Sequence, residues 1–186
     1  MNSQIRVIVF ITATVGFFLP FFLFTRRTGE KPVATAKSAR WGIALQFCGA
    51  LLVYLHSPAF WRSPIEPWRV AMSVVFAIIS WLLSWTAVRH LGRQWRVNAG
   101  LNADHELVQT GPYRIVRHPI YASMLCLMIS ACFSCGEWPR WPVALALFIA
   151  GLEIRIRAED NLLSGRFGAR FQQWRRQTPA YIPFLR

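Results

Sequence analysis

Long runs of hydrophobic residues alternate with short basic segments along the chain. A bilayer core of about 30 Å requires roughly 20 mostly apolar residues per helix. Five runs have or approach this length: Val7–Phe24, Trp41–Trp61, Val70–Val88, Pro119–Gly136 and Trp141–Leu152. A buried helix of a soluble protein can also contain a short apolar run, but five of them leave too little polar chain to cover them. We therefore predict an all-α, polytopic membrane protein with about five transmembrane helices.

The charges predict the orientation of these helices. Lys and Arg number 21 against 8 Asp and Glu, a net charge of +13. Most basic residues lie in the segments 25–40 and 89–118 and in the tail from residue 155; the exceptions are Arg6, Arg62, Arg69 and Arg140. The positive-inside rule places the N-terminus outside and the C-terminus in the cytoplasm. Several tryptophans lie near predicted helix ends, as in an aromatic belt: Trp41, Trp61, Trp68, Trp138 and Trp141. We expect the first run, preceded by Arg6, to be a retained helix and not a cleaved signal peptide.

A strongly basic chain can also bind nucleic acid. Such proteins carry their basic residues on an otherwise polar surface, whereas this chain is 54% hydrophobic and only 16% charged. Its basic residues stand between long uncharged runs. The composition therefore argues against a nucleic-acid partner, and it argues equally against intrinsic disorder.

The four cysteines are Cys48, Cys126, Cys132 and Cys135, all in or beside predicted helices. Cys132 and Cys135 have the spacing of a redox or metal motif, yet no histidine or second cysteine pair lies near them in sequence. We expect no metal site. Small apolar filling is the favoured role for this pair, with a disulfide as the open alternative.

Polar residues gather beside the predicted helices in two stretches, and the first is Leu91–Tyr121. Pro119 fits the first position of the fourth helix, where a missing N–H costs nothing. Backbone amides at such a helix start can bind a carboxylate or phosphate. Arg117 and His118 flank this position. They are candidates for anion binding, and interfacial anchoring is the alternative.

The second stretch, Glu153–Arg186, continues the fifth run beyond its apolar part. Glu153 and Arg157, like Arg155 and Glu159, are spaced four apart and can pair on a helix. Ionisable groups so close to a short membrane span are functional candidates. Apolar residues then recur at helical spacing between arginines, at Leu163, Phe167, Phe171 and Trp174. This pattern predicts an amphipathic helix on the anionic membrane surface.

The order and spacing of motifs in these two stretches resemble the isoprenylcysteine carboxyl methyltransferase family, integral-membrane enzymes that use S-adenosylmethionine. The motifs are His105-Glu-Leu-Val, Gly111-Pro-Tyr-Arg, Arg117-His-Pro-Ile-Tyr121, Arg155-x-x-x-Glu159-Asp160, Phe167-Gly168 and Ile182-Pro183. The resemblance covers Leu91–Arg186, about half of the chain, and the N-terminal half matches only in having helices. Ser123 departs from the family pattern, which often has Gly at that position.

The apolar runs and the resemblance together predict one integral-membrane domain, 1–186, in which residues 1–88 supply three helices and 89–186 form the catalytic region. A cytoplasmic pocket would be built from loop 89–118 and the C-terminal helices. The implied cofactor contacts are Asn98, His105, Glu106, Leu107, Val108, Tyr113, His118, Pro119, Ile120, Tyr121 and Glu159. Arg155 would bind and orient the methyl acceptor, and Glu159 is the second implied catalytic residue. A Gly-rich dinucleotide loop of the form G-x-G-x-x-G does not occur in the sequence.

The implied reaction transfers a methyl group from S-adenosylmethionine to the carboxylate of a lipophilic acceptor and releases S-adenosylhomocysteine. A carboxylate is already ionised at neutral pH, so no general base is required. Arg155 would orient it through a two-point contact. The acceptor, of which a prenylated cysteine is one candidate, would enter from the lipid bilayer, and the cofactor from the cytoplasm.

Three other functions stay open at this stage. A phospholipid amine or a small thiol could be the acceptor, although Arg155 would repel an ammonium group. A membrane reductase using NADPH shares a related C-terminal pattern but needs more basic phosphate contacts and usually more spans. A non-catalytic membrane module would tolerate replacement of His118, Arg155 and Glu159 with effects on stability alone.

Overall fold

The computed structural model of the protein describes residues 4–24, 34–55, 64–92, 100–101 and 106–183. Helices make up most of this part of the chain: α1 Gln4–Phe24, α2 Ala39–Tyr54, α3 Pro67–Leu91, α4 Pro119–Cys135, α5 Trp141–Phe167 and α6 Ala169–Gln177. Short 3-10 turns at Gly111–Arg114 and Trp138–Arg140 precede α4 and α5. One two-residue antiparallel pairing joins Ala34–Thr35 to Gly100–Leu101. The predicted helical character is confirmed.

Proline and glycine set the boundaries of the helices near the C-terminus. Pro119 stands in the first turn of α4, as predicted, because its fixed φ suits a helix start and its missing N–H is not needed there. Gly168 has φ +52° and ends α5, a conformation that glycine adopts without steric cost. The prediction of one continuous amphipathic helix through Leu163–Trp174 is therefore wrong. The chain bends at Gly168, and α6 is a separate helix.

Glycines bring α2 and α5 into close contact. A Cβ atom on Gly42 would lie 2.5 Å from the carbonyl oxygen of Gly151, and one on Gly151 would lie 2.5 Å from the carbonyl oxygen of Gly42. Seven residues along α2, a Cβ on Gly49 would lie 2.6 Å from the carbonyl oxygen of Ala144. Small residues that allow two backbones to approach are typical of helix pairs in membranes. This contact fixes α2 against the first half of α5, directly before the ionisable residues that begin at Glu153.

We expect Gly151→Ala to lower the apparent melting temperature in detergent by roughly 2–12 °C, because overpacking costs about 1–3 kcal/mol. The added methyl group meets backbone atoms of α2, which cannot rotate away. Gly165→Ala is the matched control on the same helix, since its Cβ would have no neighbour within 4 Å. It should leave the melting temperature unchanged or slightly higher. Equal effects of the two substitutions would contradict the close α2–α5 contact.

Serines join α3 to α4. Ser73 and Ser130 donate hydrogen bonds to each other's backbone carbonyl oxygens at 2.9 and 2.8 Å, and Ser80 donates to the carbonyl oxygen of Ser123 at 2.8 Å. Ser123, at the position where the family often has Gly, is fully buried and donates to the carbonyl oxygen of Ile120 at 2.7 Å. Its hydroxyl is thus satisfied within its own helix.

On α3, mainly small or polar residues are buried, and many large apolar side chains of α1 and α3 lie on the outside. On α3, the buried residues include Ser73, Ala77, Ser80 and Ala87, whereas Leu82 is 62% exposed. Phe22 on α1 is 83% exposed. Of the described helices, α1 and α3 have the length and composition to cross a bilayer; α2 and α4 are apolar but shorter, at 16 and 17 residues. The prediction of five spans stays a prediction.

The start of α3 and the end of α4 meet around Arg69, beside Trp138 and Trp141. The Arg69 side chain donates to the carbonyl oxygens of Phe133 and Gly136 at 3.0 and 2.5 Å, so it satisfies carbonyl groups at the end of α4. Its guanidinium lies 5.8 Å from the ring of Trp138, which stacks on Trp141 at 4.1 Å. Cys132 and Cys135, buried in the same region, are free thiols. The burial of both side chains agrees with the predicted filling role.

Candidate active site

The start of α4 and the second half of α5 bring a histidine between two carboxylates. The Nε2 atom of His118 lies 2.9 Å from Oδ1 of Asp160, and its Nδ1 atom lies 3.4 Å from Oε2 of Glu159. The hydroxyl of Tyr121 donates to the other oxygen of Glu159 at 2.5 Å. The side chain of Asp160 is 6% exposed and that of Glu159 29%. Glu159 is therefore the carboxylate that a ligand can reach.

Asp160 also binds Arg117, which fixes the C-terminal segment. Arg117 Nη2 lies 3.0 Å from Oδ2 of Asp160, and Arg117 Nη1 donates to the carbonyl oxygens of Thr178 and Arg175 at 2.5 and 3.1 Å. The backbone amides of Arg117 and His118 donate to the carbonyl oxygens of residues 179 and 180 at 2.9 and 2.8 Å. The segment after α6 is thus bound directly to the residues that begin α4.

Protonated His118 and Arg117 together balance the charges of Asp160 and Glu159. Burial alone would lower the pKa of His118, but the hydrogen bonds to Asp160 and Glu159 and the charges of these two carboxylates together outweigh burial and raise the pKa. For both carboxylates, burial would raise the pKa, but the hydrogen bond and the charge of His118 outweigh it and lower the pKa. The charge of Arg117 further lowers the pKa of Asp160, and the charge of Arg155 further lowers the pKa of Glu159. The site therefore holds ionised carboxylates at neutral pH.

The thermal stability of the protein is expected to fall as the pH rises through the raised pKa of His118. A histidine whose pKa is raised by folding stabilises the folded state fully at pH values below its unfolded pKa of about 6.5. This stabilisation is lost as the pH rises through the pKa of the folded state. The lowered carboxylate pKa values act only at acidic pH. Melting curves in detergent from about pH 6 to about pH 9 test this against His118→Asn. An equally steep alkaline decline in that variant would rule out His118 as its source.

Arg155 contacts Tyr121 and is held by α2. Its guanidinium carbon lies 4.9 Å from the centre of the Tyr121 ring, a distance at which a cation is attracted to the ring face. Its Nη1 atom donates to Oε1 of Gln46 at 2.9 Å. Arg155 is 8% exposed. The predicted acceptor residue and the predicted cofactor residues Tyr121 and Glu159 therefore occupy one site.

The remaining predicted residues divide into three groups. Leu107 and Tyr113 are buried against Phe171 and Trp174 of α6; Val108 and Ile120 are partly buried beside them, and Pro119 is fully buried. Glu106 is exposed. Asn98 and His105 lie outside the described residues. The apolar side of α6 is covered by the protein itself. The prediction that this side lies on the membrane surface is therefore wrong for Phe171 and Trp174. The basic residues around it are exposed: Arg166, Arg170, Arg175 and Arg176.

Sequence reasoning missed the roles of Gln46 and Asp160. Gln46 figured only as a polar interruption of an apolar run, although a lone amide within a membrane span is itself a signal. Asp160 figured only as a neighbour of Glu159 in a motif. The seven-residue spacing of Gly42 and Gly49, which flank Gln46, could have indicated the face of α2 that packs against another helix.

A profile of the isoprenylcysteine carboxyl methyltransferase (ICMT) family matches residues 71–165, which is half of the chain and includes most of α3, all of α4 and most of α5. The chain belongs to the ICMT family. The match spans His118, Arg155 and Glu159. It ends before α6 and begins after α2, so Gln46 lies outside it. The sequence resemblance is thereby confirmed.

Three curated relatives share the similarity. The chain is 31% identical to the cobalt-zinc-cadmium resistance protein CzcN of Cupriavidus metallidurans over 78% of this chain and 62% of that protein. It is 30% identical to the nickel-cobalt-cadmium resistance protein NccN of Alcaligenes xylosoxydans xylosoxydans, over 67% of this chain and 66% of that protein. It is 26% identical to protein-S-isoprenylcysteine O-methyltransferase B of Arabidopsis thaliana, over 76% of this chain and 74% of that protein. The chain thus spans less than two thirds of the length of the two metal-resistance relatives.

The names of two relatives raise the question of metal ions. Metal sites in proteins are built from several converging His, Cys, Asp or Glu side chains. Within the described ranges, no group of three or more such residues is placed to hold a metal ion.

Proposed function

We propose that this ICMT-family protein transfers a methyl group from S-adenosylmethionine to the carboxylate of a lipophilic acceptor. The observation that carries the proposal is that Tyr121 contacts both Glu159, the more exposed carboxylate of the cluster, and the guanidinium of Arg155. One group suits a cationic cofactor and the other an anionic acceptor. A methyl-transfer site needs both within a short distance of each other.

The chemistry of the residues present fits S-adenosylmethionine, which supplies a methyl group activated on a sulfonium. Glu159 is kept ionised by His118, and a carboxylate together with the ring of Tyr121 attracts a sulfonium or an ammonium group. The backbone amides in the first turn of α4 suit the methionine carboxylate. Leu107, Val108 and Tyr113 supply apolar surface of the kind that binds adenine. We also assign cofactor contacts to Asn98 and His105, from the family motif.

Positioning is the main contribution that we assign to Arg155. A carboxylate needs no general base, so the protein must orient the acceptor oxygen towards the methyl group and exclude water. The guanidinium of Arg155 can hold both oxygens of a carboxylate. Because it is buried, the interaction is screened less by solvent than at a surface. An ammonium acceptor would be repelled by the same charge.

We further propose a single membrane domain, 1–186, with five spans, an outside N-terminus and a cytoplasmic C-terminus. The exposed apolar side chains of α1 and α3 and the buried serines between α3 and α4 support membrane insertion. Arg6 donates to the carbonyl oxygen of Pro64, which lies just before α3, so the N-termini of α1 and α3 lie at one end. The basic loops and the cluster around His118 belong to the other end, which the positive-inside rule assigns to the cytoplasm.

Methylation of a panel of acceptors tests the proposal. The purified protein is supplied with radiolabelled S-adenosylmethionine and one of three lipophilic probes: N-acetyl-S-farnesylcysteine, phosphatidylethanolamine or dodecanethiol. We expect label in a base-labile ester of the carboxylate probe only. Methylation of the amine or the thiol alone would keep the cofactor assignment and overturn the acceptor assignment. A protein that oxidises NADPH and methylates none of the probes would be a reductase.

A further inference from the structure

Gln46 of α2 has a fixed orientation inside the helix bundle. It is 5% exposed, and its Oε1 atom lies 2.9 Å from Nη1 of Arg155. A guanidinium carries hydrogen-bond donors and no acceptor, so the oxygen of the amide must face Arg155. The amide nitrogen Nε2 is thereby turned away from Arg155. Its two N–H groups must be satisfied elsewhere.

That nitrogen has no hydrogen-bond partner within the part of the chain that the structure describes, although it is fully buried. Buried polar groups in folded proteins are nearly always hydrogen-bonded, and an unpaired donor is unfavourable. The side chain cannot turn freely, because the backbone of α5 is close: a Cβ on Gly151 would lie 2.8 Å from Cγ of Gln46. An unpaired donor fixed beside Arg155 indicates that a ligand oxygen accepts its hydrogen bond.

We propose that Gln46 is a binding residue for the methyl acceptor, an inference that rests on the proposed function. Its Nε2 atom donates a hydrogen bond to an oxygen of the carboxylate that Arg155 orients. Donors from two helices then converge on an acceptor of negative charge. An ammonium group offers no lone pair to Nε2, and a thiol is a weak acceptor. Gln46 therefore selects a carboxylate over an amine or a thiol. This selection comes from α2, outside the family-matched residues 71–165.

Two substitutions test whether Gln46 takes part in binding the acceptor. Gln46→Glu keeps an oxygen for Arg155 but removes the donor and adds a negative charge; Gln46→Leu removes both functions at similar volume. Phe47→Leu is the matched control, since Phe47 is the next residue on α2 and is 67% exposed. The probe is N-acetyl-S-farnesylcysteine, added to protein loaded with S-adenosylhomocysteine, with affinity measured by calorimetry and KM and kcat by methyl transfer.

We expect both Gln46 variants to bind the probe about 10- to 100-fold more weakly, the loss typical of a hydrogen bond to a charged group. The loss should appear mainly as a higher KM for the acceptor. The probe affinity of Phe47→Leu should equal that of the wild type, and the affinity for S-adenosylhomocysteine should be unchanged in all three variants. Wild-type probe affinity in Gln46→Glu would overturn the proposal, because that variant can still support Arg155. If the wild type binds S-adenosylhomocysteine but not the probe, the carboxylate site is wrong. If it binds neither, the proposed function itself fails.

Discussion

Replacing Arg155 with alanine is expected to reduce methyl transfer to a lipophilic carboxylate by about 100-fold or more, because a misplaced acceptor loses the advantage of fixed geometry. The affinity for S-adenosylhomocysteine should stay close to that of the wild type. The charge of Arg155 acts to lower the pKa of Glu159, and its removal leaves the His118 and Tyr121 contacts with that carboxylate in place. Steady-state kinetics with N-acetyl-S-farnesylcysteine, together with calorimetry, measure the two effects separately.

Arg155→Lys is the control that separates charge from geometry. A lysine keeps the positive charge but lacks the planar fork that holds two carboxylate oxygens and stacks on Tyr121. We expect it to recover little of the lost rate. Full activity in the lysine variant would show that charge alone suffices, and unchanged kinetics in the alanine variant would remove Arg155 from the acceptor site.

Replacing Asp160 with asparagine is expected to give the largest loss of stability. Asp160 is 5% exposed and binds both Arg117 and His118. Breaking a buried charge pair by removing one partner typically costs about 3–5 kcal/mol, because the remaining charge is left without compensation. For a chain of this size the apparent melting temperature should fall by roughly 6–20 °C, measured by intrinsic fluorescence in detergent.

Arg157→Gln is the matched control for that loss. Arg157 pairs with Glu153 at 3.7 Å on the same helix, but its side chain is 79% exposed. Exposed pairs contribute about 0–1 kcal/mol, so the melting temperature should change by no more than a few degrees. If the two substitutions have the same effect, the buried cluster does not stabilise the attachment of the C-terminal segment.

Local chemistry allowed the sequence to predict where α4 and α5 begin. Pro119 marks the start of α4, and the predicted end at Gly136 differs from the observed last residue, Cys135, by one position. The continuation of α5 past Leu152 follows from the spacing of Glu153 and Arg157, which form the predicted pair. The break at Gly168 was missed because helical spacing of apolar residues continues across it; its φ of +52° is a backbone property that the apolar pattern does not report.

The site was predictable in its parts but not in its arrangement. The motifs indicated His118, Tyr121, Arg155 and Glu159, and these four residues meet in the structure. The pairing of Arg155 with Gln46 joins positions 109 residues apart, and no local pattern reports such a contact. The same holds for the pairing of Asp160 with the start of α4. Long-range contacts depend on how helices pack, which here follows from Gly42 and Gly151 on two different helices.

Binding of S-adenosylhomocysteine to the detergent-purified protein, measured by calorimetry beside NADPH, tests the central claim most directly. Glu159→Ala serves as the control, since that carboxylate is the proposed partner of the cofactor's cationic groups. The account predicts that S-adenosylhomocysteine binds to the wild type, that Glu159→Ala loses this binding, and that NADPH does not bind. Binding of NADPH alone, or unchanged S-adenosylhomocysteine affinity in Glu159→Ala, would contradict it.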